Sequence, residues 1–311
     1  MNKTESKTGV RKGAGTGRTS RFIPGPVLLL TIGAFFISFS GVMVKTSHVE
    51  PIVSAFYRVL FGGLCLLPAC VIKKDFKARG VKNNLLAVLC GLLFAADLWC
   101  WHLSIHYIGP GLATILSNFQ VFVLSFVGIV FLKERLTLRF VVSVLMAFIG
   151  LFLIINVDIG QTGDRYNWGV ILGFATALFY SLFLLLLRKL QSDRRHTSLF
   201  YYQMVLSLVS AAFLAGVILA TGKSFAIPDG QSWISLISLG CINQGFAWVL
   251  ITTSLPRVRA SHAGLILLLQ PALSFFWDVL FFNRQTGSIG WLGFGVVLSA
   301  IYFGMVSKNK E

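Results

Sequence analysis

The chain has 311 residues, 56% of them hydrophobic and only 12% charged, with a mean hydropathy of +0.79. A soluble domain carries about 25% charged residues, so the solvent for most of this chain is lipid. The net charge of +16 sits in short basic clusters between long apolar runs, a pattern that suits loops held against anionic lipid and argues against nucleic acid as a partner.

Residues 1–23 hold Lys3, Lys7, Arg11, Lys12, Arg18 and Arg21 among Gly, Ser and Thr, which predicts a disordered basic cytoplasmic tail. The apolar run that follows is long enough to span and lacks a small-residue cleavage site, so a signal peptide is not expected. Ten runs then come near the ~20 residues a bilayer requires. They lie at 24–45, 51–72, 85–107, 110–132, 138–156, 168–188, 197–221, 232–255, 261–282 and 289–307. The links are short, and 157–167 is a polar turn. Cys65, Cys70, Cys90, Cys100 and Cys241 all lie inside apolar runs without a Cys-x-x-Cys pair, and the five histidines show no ligand spacing. Packing, rather than a disulfide or metal framework, is their expected use, and no cofactor is expected.

Twenty-two Lys and Arg fall on the side of the N-terminus, four (Lys45, Arg165, Lys223, Arg284) on the other, and Arg58 is left within the membrane. This bias predicts a multi-pass protein of the cytoplasmic membrane with both termini cytoplasmic.

A shift of 150 residues lays spans three to five over spans eight to ten without a gap: Ser104 falls on Ser254, Ala113 on Ala263, Gln120 on Gln270, Phe126 on Phe276 and Phe131 on Phe281. Spans one and two match six and seven at slightly smaller shifts, with Phe56-Tyr57-Arg58 on Tyr201-Tyr202-Gln203. Five spans is an odd number, so the second half enters the membrane upside down. The expected fold is an all-α polytopic membrane protein of ten transmembrane helices, arranged as two inverted five-helix repeats, 24–156 and 168–307.

Ile108-Gly109-Pro110-Gly111-Leu112-Ala113-Thr114, the apolar fourth span and Leu132-Lys133-Glu134-Arg135-Leu136-Thr137 resemble the EamA repeat of the drug/metabolite transporter superfamily, in which a Gly-Glu-Arg-Leu-like turn ends the fourth span. The resemblance covers residues 24–307. It implies a ten-helix, two-repeat transporter that exports small metabolites, amino acids among them. The second repeat departs from the pattern, with Asn283-Arg284-Gln285 in place of Lys133-Glu134-Arg135.

Three ionisable residues, Arg58, Asp97 and Asp278, lie within spans, where charge is costly and usually faces a bundle interior or a watery cavity. Arg58 lies about 10 Å and Asp97 roughly 13 to 15 Å below the outer ends of their helices, so the two are expected to pair. Asp278 lies only about 6 Å deep and is expected at the outer interface. Helical spacing puts Trp101 on the face of Asp97 and Trp99 opposite. Asn118 in span four, Tyr180 in span six, Asn243, Gln244 and Trp248 in span eight, and Gln270 before the helix-breaking Pro271 complete the expected substrate lining, with Gln120 pointing away from it. Gly293, Gly295 and Ser299 suit close helix packing or a homodimer.

These features predict a secondary carrier for a small amphipathic solute. No Gly-x-x-x-x-Gly-Lys-Ser/Thr loop is present to bind a nucleotide. The alternatives are an intramembrane enzyme, which would need a nucleophile and base at convergent depth, and a non-transporting membrane scaffold.

Overall fold

A computed structural model of the chain describes residues 25–76, 80–155, 163–192 and 199–305; the expected tail of residues 1–23 lies outside them. Among the described residues ten helices are long and apolar enough to cross a membrane. Spans one to five are Pro26–Lys45, Pro51–Ile72, Val81–Ile108, Leu112–Val130 and Leu138–Ile155; spans six to ten are Asp164–Ser192, Phe200–Ala220, Gly230–Arg257, Ala260–Phe282 and Ser288–Met305. In hydrocarbon no water satisfies a backbone N–H or C=O, so each crossing segment closes its own ladder as a helix. Pro26 and Pro51 open spans one and two, where the missing N–H would have had no partner anyway. Asp229 starts span eight by accepting from Ser232 N–H at 2.7 Å.

Several backbone features recur 150 residues apart. Lys133 and Asn283 both take the left-handed conformation, with φ of 54° and 48°. In the turn that each begins, Glu134 N–H donates to Gly128 O at 2.8 Å and Arg284 N–H to Asp278 O at 3.3 Å. Span four is interrupted at Asn118 and span nine at Leu268. The packing repeats as well. Spans three and six meet as eight and one do, three and seven as eight and two, four and six as nine and one, while two with seven, four with nine and five with ten pack across the halves. This is consistent with two five-span units related by inversion.

Small residues set the close approaches. Where spans five and ten cross, a Cβ on Gly150 would stand 2.7 Å from Gly293 O, and one on Gly293 would stand 2.6 Å from Gly150 O. Only glycine lets these backbones touch. Between spans three and four the chain reverses while staying helical, so that Ser104 and Leu116 both lie against Gly173 of span six.

Candidate functional site

The middle of the bundle holds a cavity of about 700 Å³. It runs from residues at mid-depth, among them Arg58, Phe94, Asp97, Gln120, Tyr180 and Trp248, to Lys45, Ile155, Asp278 and Arg284 at one end. That end, the mouth, carries the links after spans one, three, five, seven and nine. Toward the other end the floor is closed by Phe94, Phe183 and Trp248, all at most 2% exposed, with ring centroids 4.8 to 5.5 Å apart.

The irregular helices gather around this cavity. Span one breaks at Phe39, beside the lining residues Ile37, Ser40 and Gly41. Span four breaks at Asn118, and span nine breaks at Leu268 just before Gln270 and Pro271. Span eight widens to a π-helix over Leu239–Ala247. Non-ideal backbone at membrane depth is tolerated where it lines a cavity, and π segments often mark functional positions.

Of the nine residues expected in a substrate lining, seven border this cavity: Arg58, Asp97, Trp101, Asn118, Tyr180, Trp248 and Gln270. Asn243 and Gln244 are fully buried elsewhere. The Asn243 amide bonds Ser40 Oγ at 2.9 Å, and Gln244 Nε2 donates to Ser207 Oγ at 3.1 Å. Span eight is thereby tied to spans one and seven. Gln244 can turn this way because Gly62 of span two leaves room for its side chain.

Two further expectations are corrected. Among the described residues no ion pair within 4.0 Å joins Arg58 to Asp97. Both still line the same cavity, with Tyr180. The Arg58 guanidinium lies 6.0 Å from the Phe94 ring, and its Nε is buried without a hydrogen bond. Asp97 is 7% exposed, and no side-chain hydrogen bond holds its carboxylate among the described residues. Gln120, expected to face away, lines the cavity, and its Oε1 has no partner. The break at Asn118 ends the uniform 100° step on which that expectation rested.

Other expectations match. Trp99 is 37% exposed and packs on Phe213 of span seven. His102, not among the residues expected in the lining, is half-buried on the cavity wall with its ring bonded to the Leu98 carbonyl at 2.5 Å. Asp278 stays at the mouth, bonded by Lys45 Nζ at 2.6 Å, with Arg284 Nη1 at 3.9 Å. Ser54, one turn from Arg58 on the same helix face, lines the cavity with it, and so do Lys45, Ser117 and Ser274, which were not expected there. A hydroxyl or amine near a helix break carries no periodic signal.

The profile of the EamA-like transporter family matches residues 25–156 and again 167–306. An uncharacterized transporter of Bacillus subtilis, YxxF, is 23% identical over 266 residues, 81% of this chain and 79% of its own length. An uncharacterized transporter of Archaeoglobus fulgidus is 22% identical over 279 residues, 89% of this chain and 96% of its own. A solved crystal structure superposes with a TM-score of 0.78 at 15% identity, covering 91% of this chain and 99% of that one, and it supports the fold.

Proposed function

Starting from a chain that belongs to the EamA-like transporter family, we propose a secondary carrier that exports small zwitterionic, amphipathic solutes of the amino-acid kind across the cytoplasmic membrane by alternating access. One observation carries this reading: half-buried Arg58 and buried Asp97 line one cavity, and among the described residues neither has an ionic partner within 4.0 Å. An intramembrane charge without a protein partner is costly, and a solute with a carboxylate and an ammonium group satisfies both. The carboxylate goes to the five N–H donors of the guanidinium and the ammonium group to Asp97. Trp101, Tyr180 and Trp248 offer an apolar wall, while Asn118, Gln120 and Gln270 supply amide groups. Asn243 and Gln244 act from behind, by holding span eight in place.

The excess of Lys and Arg beside the N-terminus and in the links opposite the mouth supports a mouth that faces outside. The described conformation is then the outward-open one, and the aromatic floor is the inner barrier. Two repeats that exchange conformations supply the inward-open state. A scaffold has no need of two such charges on an open cavity, and an enzyme would need a nucleophile and base at convergent depth. In proteoliposomes, wild-type protein is expected to exchange labelled amino acids for internal ones. Absence of exchange for every amphipathic zwitterion in a panel would exclude this substrate class.

A further inference from the structure

At the end of the bundle opposite the mouth one carboxylate reaches across the repeats. Glu134 follows span four, yet its side chain accepts hydrogen bonds from Ala260 N–H at 2.7 Å, Ser261 N–H at 3.3 Å and Ser261 Oγ at 2.7 Å. These are the first residues of the helix that opens span nine, and the preceding Arg259 supplies no side-chain cap. A helix start leaves its first N–H groups without partners and carries partial positive charge, so a carboxylate there makes short, charge-assisted bonds. Beside it, Arg188 of span six donates to Val258 O at 2.7 Å, and its charge is attracted to that of Glu134. The seat is built for the group: a Cβ on Gly128 would stand 2.7 Å from Glu134 Oε2.

The matching position of the second repeat lacks this device. Residue 284, which lies 150 after Glu134, is Arg284. A guanidinium has donors only and cannot cap a helix start. Arg284 instead donates to Ile154 O at 3.1 Å beside the mouth. One end therefore has a latch that the other cannot form.

We infer that Glu134, seated on Gly128 and bonded to Ala260 and Ser261, is a releasable latch. It holds the end opposite the mouth closed and sets the balance between the two access states. The inference rests on the alternating-access reading, but its test does not require a substrate. Spin labels on Lys133→Cys and Arg257→Cys, both exposed at that end, report its opening by pulsed EPR in full-length protein whose native cysteines are replaced. Wild type is expected to give mainly the short distance. Glu134→Gln, which loses the charge, raises the long-to-short ratio about tenfold. Gly128→Ala, which keeps the carboxylate but fills its seat, shifts the ratio the same way, and Ser261→Ala does so less. If Glu134→Gln fails to fold, the other two decide. Folded variants with the wild-type distance distribution would overturn the latch. Wild type that opens this end yet exchanges no solute would count against the carrier reading alone.

Discussion

The two halves share a backbone and differ in charge. Asp97 of the first lines the cavity, whereas Ala247, at the same place in the second, is fully buried in the apolar core. Arg58 faces the cavity, whereas Gln203, its counterpart, is buried and accepts from Thr252 Oγ1 at 3.3 Å. Glu134 caps a helix of the other half, whereas Arg284 does not. The repeat thus duplicates helix breaks and turns, while the charged groups of the proposed site and latch sit in one half.

The largest effect comes from erasing that asymmetry at the cavity. Asp97→Asn and Arg58→Met are each expected to lower kcat/KM for exchange at least about thirtyfold while eluting as wild type from size exclusion, because each leaves the opposite charge of the solute without a partner. Wild-type exchange by either would break the comparison. Its converse, Ala247→Asp, puts a carboxylate where packing has no room for it. It is expected to cost about 3 kcal/mol or more in stability, read by chemical unfolding in detergent.

The interface between spans five and ten gives a finer contrast. Gly293→Val forces a side chain against Gly150 O and is expected to cost about 1 to 3 kcal/mol. Gly295→Val, with open space around its Cβ position, should stay within about 0.5 kcal/mol of wild type. Within the site, Trp101→Ala should raise KM about tenfold by removing part of the apolar wall, and Trp99→Ala should leave transport unchanged.

The smallest effect lies at the surface. Asp229 carries its carboxyl depressed to about 2, chiefly by the hydrogen bond from His48 at 2.8 Å and then by Ser232 N–H. A depressed carboxylate stabilises the fold above its ordinary value of 3.8 and loses that contribution as pH falls toward about 2. The small Tm difference between wild type and Asp229→Asn should therefore narrow over that window, with exchange at neutral pH unaffected.

The spans were legible because each is a long apolar run bounded by charge or proline, and the first and last residues of most lie within a few positions of the sequence reading. The repeat was legible from a gapless shift. Asp97 stood out as a charge within an apolar run, and Trp101 followed from it by the 100° helical step, which holds across the uninterrupted helix of span three. The same step failed for Gln120, one residue beyond the interruption that follows Asn118. It also carried no information on Asn243 and Gln244, whose orientation depends on Ser40, Ser207 and Gly62 of other spans. Nor did depth alone distinguish an ion pair from two charges that share a cavity. The bonds of Glu134 escaped because they join residues 126 and 127 positions apart.

The account stands on Arg58 and Asp97 serving a moving solute rather than each other. Counterflow in proteoliposomes tests this most directly: vesicles loaded with an unlabelled zwitterionic amino acid are mixed with a labelled trace outside. Transient accumulation of label by wild type, abolished in folded Arg58→Met and Asp97→Asn, is the predicted result. Accumulation that persists in both variants would contradict it.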